Sequence, residues 1–260
     1  MKKLYCRAMA ALCLVAAVGV WSGVANAQSA EVKEKPRMYT WVANWAIPRA
    51  KWADMEKSRA GTQKILEEAV ASGKLVGYGD DTVLVHTADG VTHDAWWSAM
   101  SMAAMFDVLE EIHKAGAAVT PVLESATKHY DEVYVSHFYN WHPGSSKTAY
   151  THVASYKFKA DAPNDALETL SKTFIVPMLE KLLADGSVIE YEVDEEAVHT
   201  ESPGTFWIVY ITPNAAGLDK VNDALRDALK ASPLASPAFG SMVDFAPHRD
   251  NVSRTNATYK

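Results

Sequence analysis

The feature that most constrains this chain is a stretch it contains twice. Gly73 to Thr87 reads GKLVGYGDDTVLVHT, and Gly186 to Thr200, 113 positions later, reads GSVIEYEVDEEAVHT. Aligned without a gap, Gly73 meets Gly186, Tyr78 meets Tyr191, Asp81 meets Asp194, and Val85-His86-Thr87 meets Val198-His199-Thr200, so six of fifteen positions are identical. Identity at one fixed offset marks a duplicated structural unit. The fold must therefore be one that a single order of elements can build twice.

That order can be read from periodicity. Residues 38–46 (MYTWVANWA) alternate, with Tyr39, Trp41, Ala43 and Trp45 on one side and Thr40, Val42 and Asn44 on the other, which is a half-buried strand. Residues 52–72 carry Ile65, Leu66, Ala69 and Val70 at helical spacing and run into Gly73, a C-cap residue. The repeated stretch forms a second strand, with Tyr78, Leu84 and His86 on one face, and Ala88-Asp89-Gly90 turns it into a hairpin with 91–98. Met102, Met105, Phe106, Leu109 and Ile112 then make the apolar stripe of a helix over 99–114, and 131–141 is a further strand. Strand, helix, strand, strand, helix, strand begins again at 151–158. The helix over 165–185 contains Pro177, which should interrupt it. A hairpin of 188–200 with 205–211, a helix over 218–231 and a last strand near 242–246 complete the second set.

This order is the split strand-helix-strand arrangement called ferredoxin-like. One unit has a four-stranded sheet with helices on one face only, so its other face needs a cover, and two units in one chain can supply it for each other. The chain resembles the dimeric α+β barrel superfamily, in which two such units join their sheets. The fold class expected is therefore α+β, as two tandem ferredoxin-like (βαββαβ) repeats forming a pseudo-dimeric α+β barrel. The organisation is a cleaved signal peptide over 1–27, a leader over 28–37, repeats over 38–145 and 150–250, and a polar tail over 251–260. The resemblance rests on element order and duplication, not on a catalytic motif. It implies a cavity between the sheets and leaves the chemistry open, because the superfamily includes antibiotic-biosynthesis-type monooxygenases, haem-degrading enzymes, chlorite dismutase-like haem proteins and stress-responsive barrel proteins.

The N-terminus sets the compartment. Lys2, Lys3 and Arg7 precede an apolar run from Ala8 to Val20, and Ala25-Asn26-Ala27 fits a signal peptidase, so the mature chain is expected to start at Gln28 in the periplasm or outside the cell. Cys6 and Cys13 both lie in the removed segment, so disulfides play no part. Removing Lys2, Lys3 and Arg7 from the 25 basic residues leaves 22 against 32 acids, a formal charge of −10. That balance argues against nucleic acid and against anionic membrane surfaces.

Candidate chemistry falls in two places. His86 and His199 hold equivalent positions, each eight residues after a tyrosine. They could converge on one ligand across a pseudo-twofold axis, or serve only as hairpin residues inherited by both copies. Asp81 and Asp194 read as turn or bulge residues. The second concentration belongs to the first half, with Trp41, Asn44, Trp45, His93, Trp96, Trp97, His137, Trp141 and His142. In the second half His93 becomes Phe206 and Trp97 becomes Tyr210, the asymmetry expected of one functional cavity in a duplicated protein. HExxH, GxSxG, P-loop and GxGxxG motifs are all absent.

The expectation is an exported barrel protein that binds, or transforms, a small apolar or aromatic molecule. Trp41, Trp45, Tyr78, His86, His93 and Trp97 form the ligand site. In a cofactor-independent, monooxygenase-like version His86 or His93 is the general base. The alternatives are a haem or metal protein using barrel histidines and a non-catalytic stress or assembly protein with a packed barrel. For haem, the resemblance implies Asn44, Trp97 and His113 around the porphyrin. Self-association into a homo-oligomer stays open.

Overall fold

The computed structural model describes residues 32–231 and 235–260, so the signal peptide read over 1–27 lies outside the described residues. The elements are β1 (Met38–Trp45), a 3-10 turn (Arg49–Lys51), α1 (Trp52–Ala71), β2 (Gly77–Val85), β3 (His93–Ala99), α2 (Met102–Lys114), β4 (His129–Trp141) and β5 (Gly144–Phe158). They continue with α3 (Ala166–Leu170), a π turn (Ser171–Ile175), α4 (Val176–Ala184), β6 (Glu190–Val198), β7 (Thr205–Thr212), α5 (Ala215–Ala231), α6 (Ala235–Met242) and β8 (Val243–Tyr259). The eight strands close in the order β1-β3-β2-β8-β5-β7-β6-β4, with every neighbouring pair antiparallel. Each repeat contributes a 4-1-3-2 sheet, and the repeats meet where β2 pairs with β8 and β4 pairs with β6.

The duplicated residues have distinct structural jobs. Gly73 (φ 79°) and Gly186 (φ 75°) end α1 and α4 in a left-handed conformation that costs glycine little. Both ends are Schellman motifs. Gly73 N–H and Lys74 N–H donate to Val70 O and Ala69 O at 3.0 and 2.9 Å, and Gly186 N–H and Ser187 N–H donate to Leu183 O and Leu182 O at 3.0 and 2.9 Å. Tyr78 and Tyr191 point outward beneath the helices. Asp81 and Asp194 both point into the barrel; Asp81 lies in regular strand rather than in a turn or bulge, while Asp194 pairs with Ser136 where the β4–β6 register shifts. His86 and His199 lie just beyond their strands and are exposed.

Two apolar layers hold helices to the outside of the barrel. Leu66, Val70, Trp97, Met105, Val108 and Ile112 pack in the first repeat, and Leu170, Leu179, Leu182, Tyr191, Phe206 and Val221 in the second. Pro177 falls at the start of α4, directly after the π turn, so the helical region over 165–185 is interrupted as expected.

Three features differ from the sequence reading: β5 starts at Gly144 rather than at 151, so the second repeat begins before 150; α6 (Ala235–Met242) is an additional helix; and the last strand is longer. The last strand does not stop near 246 before a polar tail; it runs to Tyr259 and pairs with both β2 and β5. Residues 251–260 look like a tail because they are poor in apolar side chains. Their inward members, among them Ser253 and Thr255, face a polar interior, so this strand needs no hydrophobic face.

Gly79 shows how tight the junction is. A Cβ there would run into the Trp96 ring and come within 2.7 Å of Asn256 O on β8. Gly79→Ala is therefore expected to destabilise by about 1–3 kcal/mol. Gly240→Ala in α6, where a Cβ meets nothing within 4 Å, should stay within about 1 kcal/mol of wild type. Urea unfolding of the two variants measures the contrast.

Candidate functional site

Strand side chains alternate between the helix-covered outside and the inside of the barrel. The inside is not filled by side chains, for a cavity of about 440 Å³ lies there. Both repeats line it. Trp96, Glu190, Ile211 and Tyr259 lie toward the end where β8 finishes, while Asp89, Glu201, Lys157 and Arg249 lie at the opposite end, near the loops after β2 and β6.

Six strand carboxyls face this space: Asp81, Asp94, Glu132, Glu190, Glu192 and Asp194. Asp81 and Asp94 are direct cross-strand partners on β2 and β3. Asp81 accepts from Trp96 Nε1 at 3.2 Å, from Thr151 Oγ1 at 3.4 Å and from Thr255 Oγ1. Burial raises both carboxyls, and for Asp94 the charge of Asp81 adds to it. Glu132 accepts from Asn44 Nδ2 at 2.9 Å and is pushed by burial up to about 7.

The other wall is β6, where Glu190, Glu192 and Asp194 project inward at alternate positions. Glu192 accepts from Thr40 Oγ1 at 3.1 Å, and burial raises it to about 7. Glu190 and Asp194, each 1% exposed, are held well above the usual carboxyl range by burial and then by the charge of Glu192. Glu192 and Ser136 are polar neighbours of Asp194, yet neither oxygen of Asp194, nor Oε1 of Glu190, has a partner in hydrogen-bonding geometry. Aromatic rings stand beside these groups. Trp207 is the strand partner of Asp194 and lies 4.6 Å from Tyr134, and Trp96 lies 5.5 Å from Tyr259.

The residues singled out by sequence take other places. Trp41 and Tyr78 are both strand partners of Trp97, and Trp45 is the strand partner of His93, so the structure does bring these five together. It does so on the helix-facing side. Trp41 stacks on Trp97 at 5.8 Å, Trp97 Nε1 donates to Met105 O at 3.3 Å, and Trp45 stacks on His129 at 5.2 Å. His93 is 2% exposed, meets Trp52 edge-on at 5.3 Å and lies 3.0 Å from Thr92 Oγ1. Burial, followed by the charges of Arg59 and His86, lowers it to about 4, which makes it a weak base. His86 is exposed beyond β2, and none of the six lines the cavity. The carboxyls did leave a signal: β6 reads Glu, Tyr, Glu, Val, Asp, Glu, with every acid but one on a single face.

Haem, implied by some barrels of this kind, does not suit the cavity. Its described lining holds no histidine or cysteine, and its carboxyls would oppose the propionates of a porphyrin. Asn44 faces the cavity, Trp97 faces the helices and His113 is exposed on α2, so these three do not converge. Among the described residues no group of three or more His, Cys, Asp or Glu is arranged to hold a metal ion.

No protein-family model and no curated protein matches the sequence. Solved structures do match. A candidate monooxygenase from Lactobacillus acidophilus is 12% identical with a TM-score of 0.62, over 86% of this chain and 97% of its own. One from Fusobacterium nucleatum is 7% identical with a TM-score of 0.62, over 87% and 95%. A candidate chlorite dismutase is 12% identical with a TM-score of 0.50, over 84% and 94%. At these identities the likeness concerns the fold, and it agrees with the closed ring and the 4-1-3-2 order of each half. The chain therefore has the dimeric α+β barrel fold, with both half-barrels carried in one polypeptide.

Proposed function

We propose that this protein binds a small organic molecule inside the barrel, between the two joined sheets. The observation that carries the reading is the cavity itself, with the unpartnered carboxyl oxygens of Asp194 and Glu190 on its wall. Buried polar atoms without partners are rare because each costs about 1–3 kcal/mol, and a bound molecule can satisfy them. The volume and the mixture of aromatic surface with a few polar groups suit a ligand of modest size. Where the protein also transforms its ligand, proton transfer falls to Glu192 or Glu132, whose values near 7 suit acid-base work, rather than to His86 or His93. The proposed setting is the periplasm or the cell exterior, on the signal-peptide pattern of residues 1–27.

Filling the cavity tests the reading. Val209 faces the cavity from β7, beside Val153 on β5. Nile red, a neutral fluorogenic dye, is expected to bind the wild-type protein and quench its tryptophan emission. Val209→Trp should weaken binding at least tenfold, whereas Trp41→Phe in the helix-facing layer should leave it unchanged. Equal affinity in a folded Val209→Trp protein would place the ligand elsewhere.

The same carboxyls set a pH dependence. A carboxyl raised on folding binds more protons in the native than in the unfolded state, so stability falls as pH rises between the unfolded and folded values. For Glu192 that window runs from about 4.5 to about 7, and full ionisation costs on the order of 3 kcal/mol. Thermal unfolding without ligand should show a falling midpoint from pH 5 to pH 8. Glu192→Gln should flatten that slope, and an unchanged slope would mean that Glu192 ionises freely.

A further inference from the structure

We infer that the ligand carries an organic ammonium group, seated against the β6 carboxyl of Asp194 and the aromatic pair Tyr134 and Trp207. This names the chemical class of ligand for the cavity and rests on the binding role proposed above.

Several donors on the cavity wall are already engaged by its carboxyls: Thr40 Oγ1 donates to Glu192, Asn44 Nδ2 to Glu132, and Trp96 Nε1 with Thr151 and Thr255 to Asp81. Among the described residues, the fully buried side-chain atoms of this wall that have no partner are all carboxyl oxygens, on Asp194 and Glu190, each residue 1% exposed. In their ionised form these oxygens only accept, so a molecule that satisfies them in that form brings N–H or O–H groups. Charge decides between the two. None of the six strand carboxyls is ion-paired to Lys, Arg or His among the described residues, and nearby Arg59 is committed to Asp80 at 2.5 Å on the helix-facing side. Burial makes each of these carboxyls costly to ionise in the empty barrel, and a cation placed among them relieves that cost. An ammonium group brings donors and no acceptor.

The surroundings fit the rest of such a molecule. Trp207 is the strand partner of Asp194, with Tyr134 at 4.6 Å from it, so the carboxyl and two π faces border the same space. Aromatic faces attract cations and pack against apolar bodies. At the opposite end, Asp89 and Glu201 add negative charge beside Lys157 and Arg249. A bare divalent ion is a poorer match, because the described carboxyls do not converge on one point.

Three near-isosteric probes separate the cases by calorimetry on the full mature chain: tyramine, 4-ethylphenol and 4-hydroxyphenylacetate. Tyramine is expected to bind at least tenfold more tightly than 4-ethylphenol, and 4-hydroxyphenylacetate more weakly than either. Asp194→Asn should lower tyramine affinity at least tenfold and 4-ethylphenol affinity less than threefold. Should that variant not fold, Trp207→Leu, which removes a π face beside Asp194, is measured in the same way. Equal binding of tyramine and 4-ethylphenol overturns the ammonium assignment and leaves the binding role standing, as does Nile red entering a barrel that takes none of the three probes. Failure of Nile red and of all three probes to bind overturns both.

Discussion

Everything in this structure depends on the closure of two sheet edges, β2 against β8 and β4 against β6. A four-stranded ferredoxin-like sheet leaves two edges with unpaired N–H and C=O groups and one face without helices. Pairing two such sheets edge to edge removes all four edges at once and turns the uncovered faces toward each other. In this chain the partner sheet comes from the same polypeptide. The closure therefore costs no association entropy, and it holds at any protein concentration.

Closure also inverts the usual rule for strands. The face that looks like an outside, polar and charged, is the inside of the barrel, because the apolar face is already spent on the helices. Tyr191 and Val193 go to the helix layer of the second repeat while Glu190, Glu192 and Asp194 go inward. An eight-stranded barrel has room for a small ligand at its centre. A carboxyl directed there stays away from bulk water yet keeps open space in front of it, which is why burial shifts these groups so strongly while Asp194 still lacks a partner.

Much of the fold was legible in the sequence because duplication fixes element order twice. Gly73 and Gly186 marked the same helix end, and Pro177 marked the break before α4. The end of β8 was not legible, since Ser253 and Thr255 face a polar interior and alternate without a hydrophobic face. Trp41, Trp45 and Trp97, expected at a ligand site, lie on the helix-facing side of strands that were themselves read correctly, and not on the cavity. Alternation in β1 separates Trp41 and Trp45 from Thr40, Val42 and Asn44, but period two cannot say which set meets helices. The large aromatic set packs under the helices, as large apolar side chains do, and the modest polar set lines the cavity.

The two copies diverge where function can be built, at cavity-facing positions of the duplicated strands. Gly77 and Gly79 on β2 stand where β6 has Glu190 and Glu192, and Asp94 on β3 stands where β7 has Trp207. In the first copy the glycines let the Tyr259 and Trp96 rings lie flat against the strand. In the second copy the same positions carry carboxyls, and the ring of Trp207 stands beside Asp194. Equivalent positions of the two copies thus give the cavity different side chains, although each repeat supplies both carboxyls and aromatic rings. By contrast, His93 and Phe206 differ on the helix-facing side, where the change is one of packing: His93 sits against Trp52, and Phe206 stacks on Tyr156 and Phe158. A symmetric barrel would offer a ligand two equivalent half-sites. Replacing glycine by glutamate in one copy alone gives the cavity a single orientation, which is what recognition of an asymmetric molecule requires.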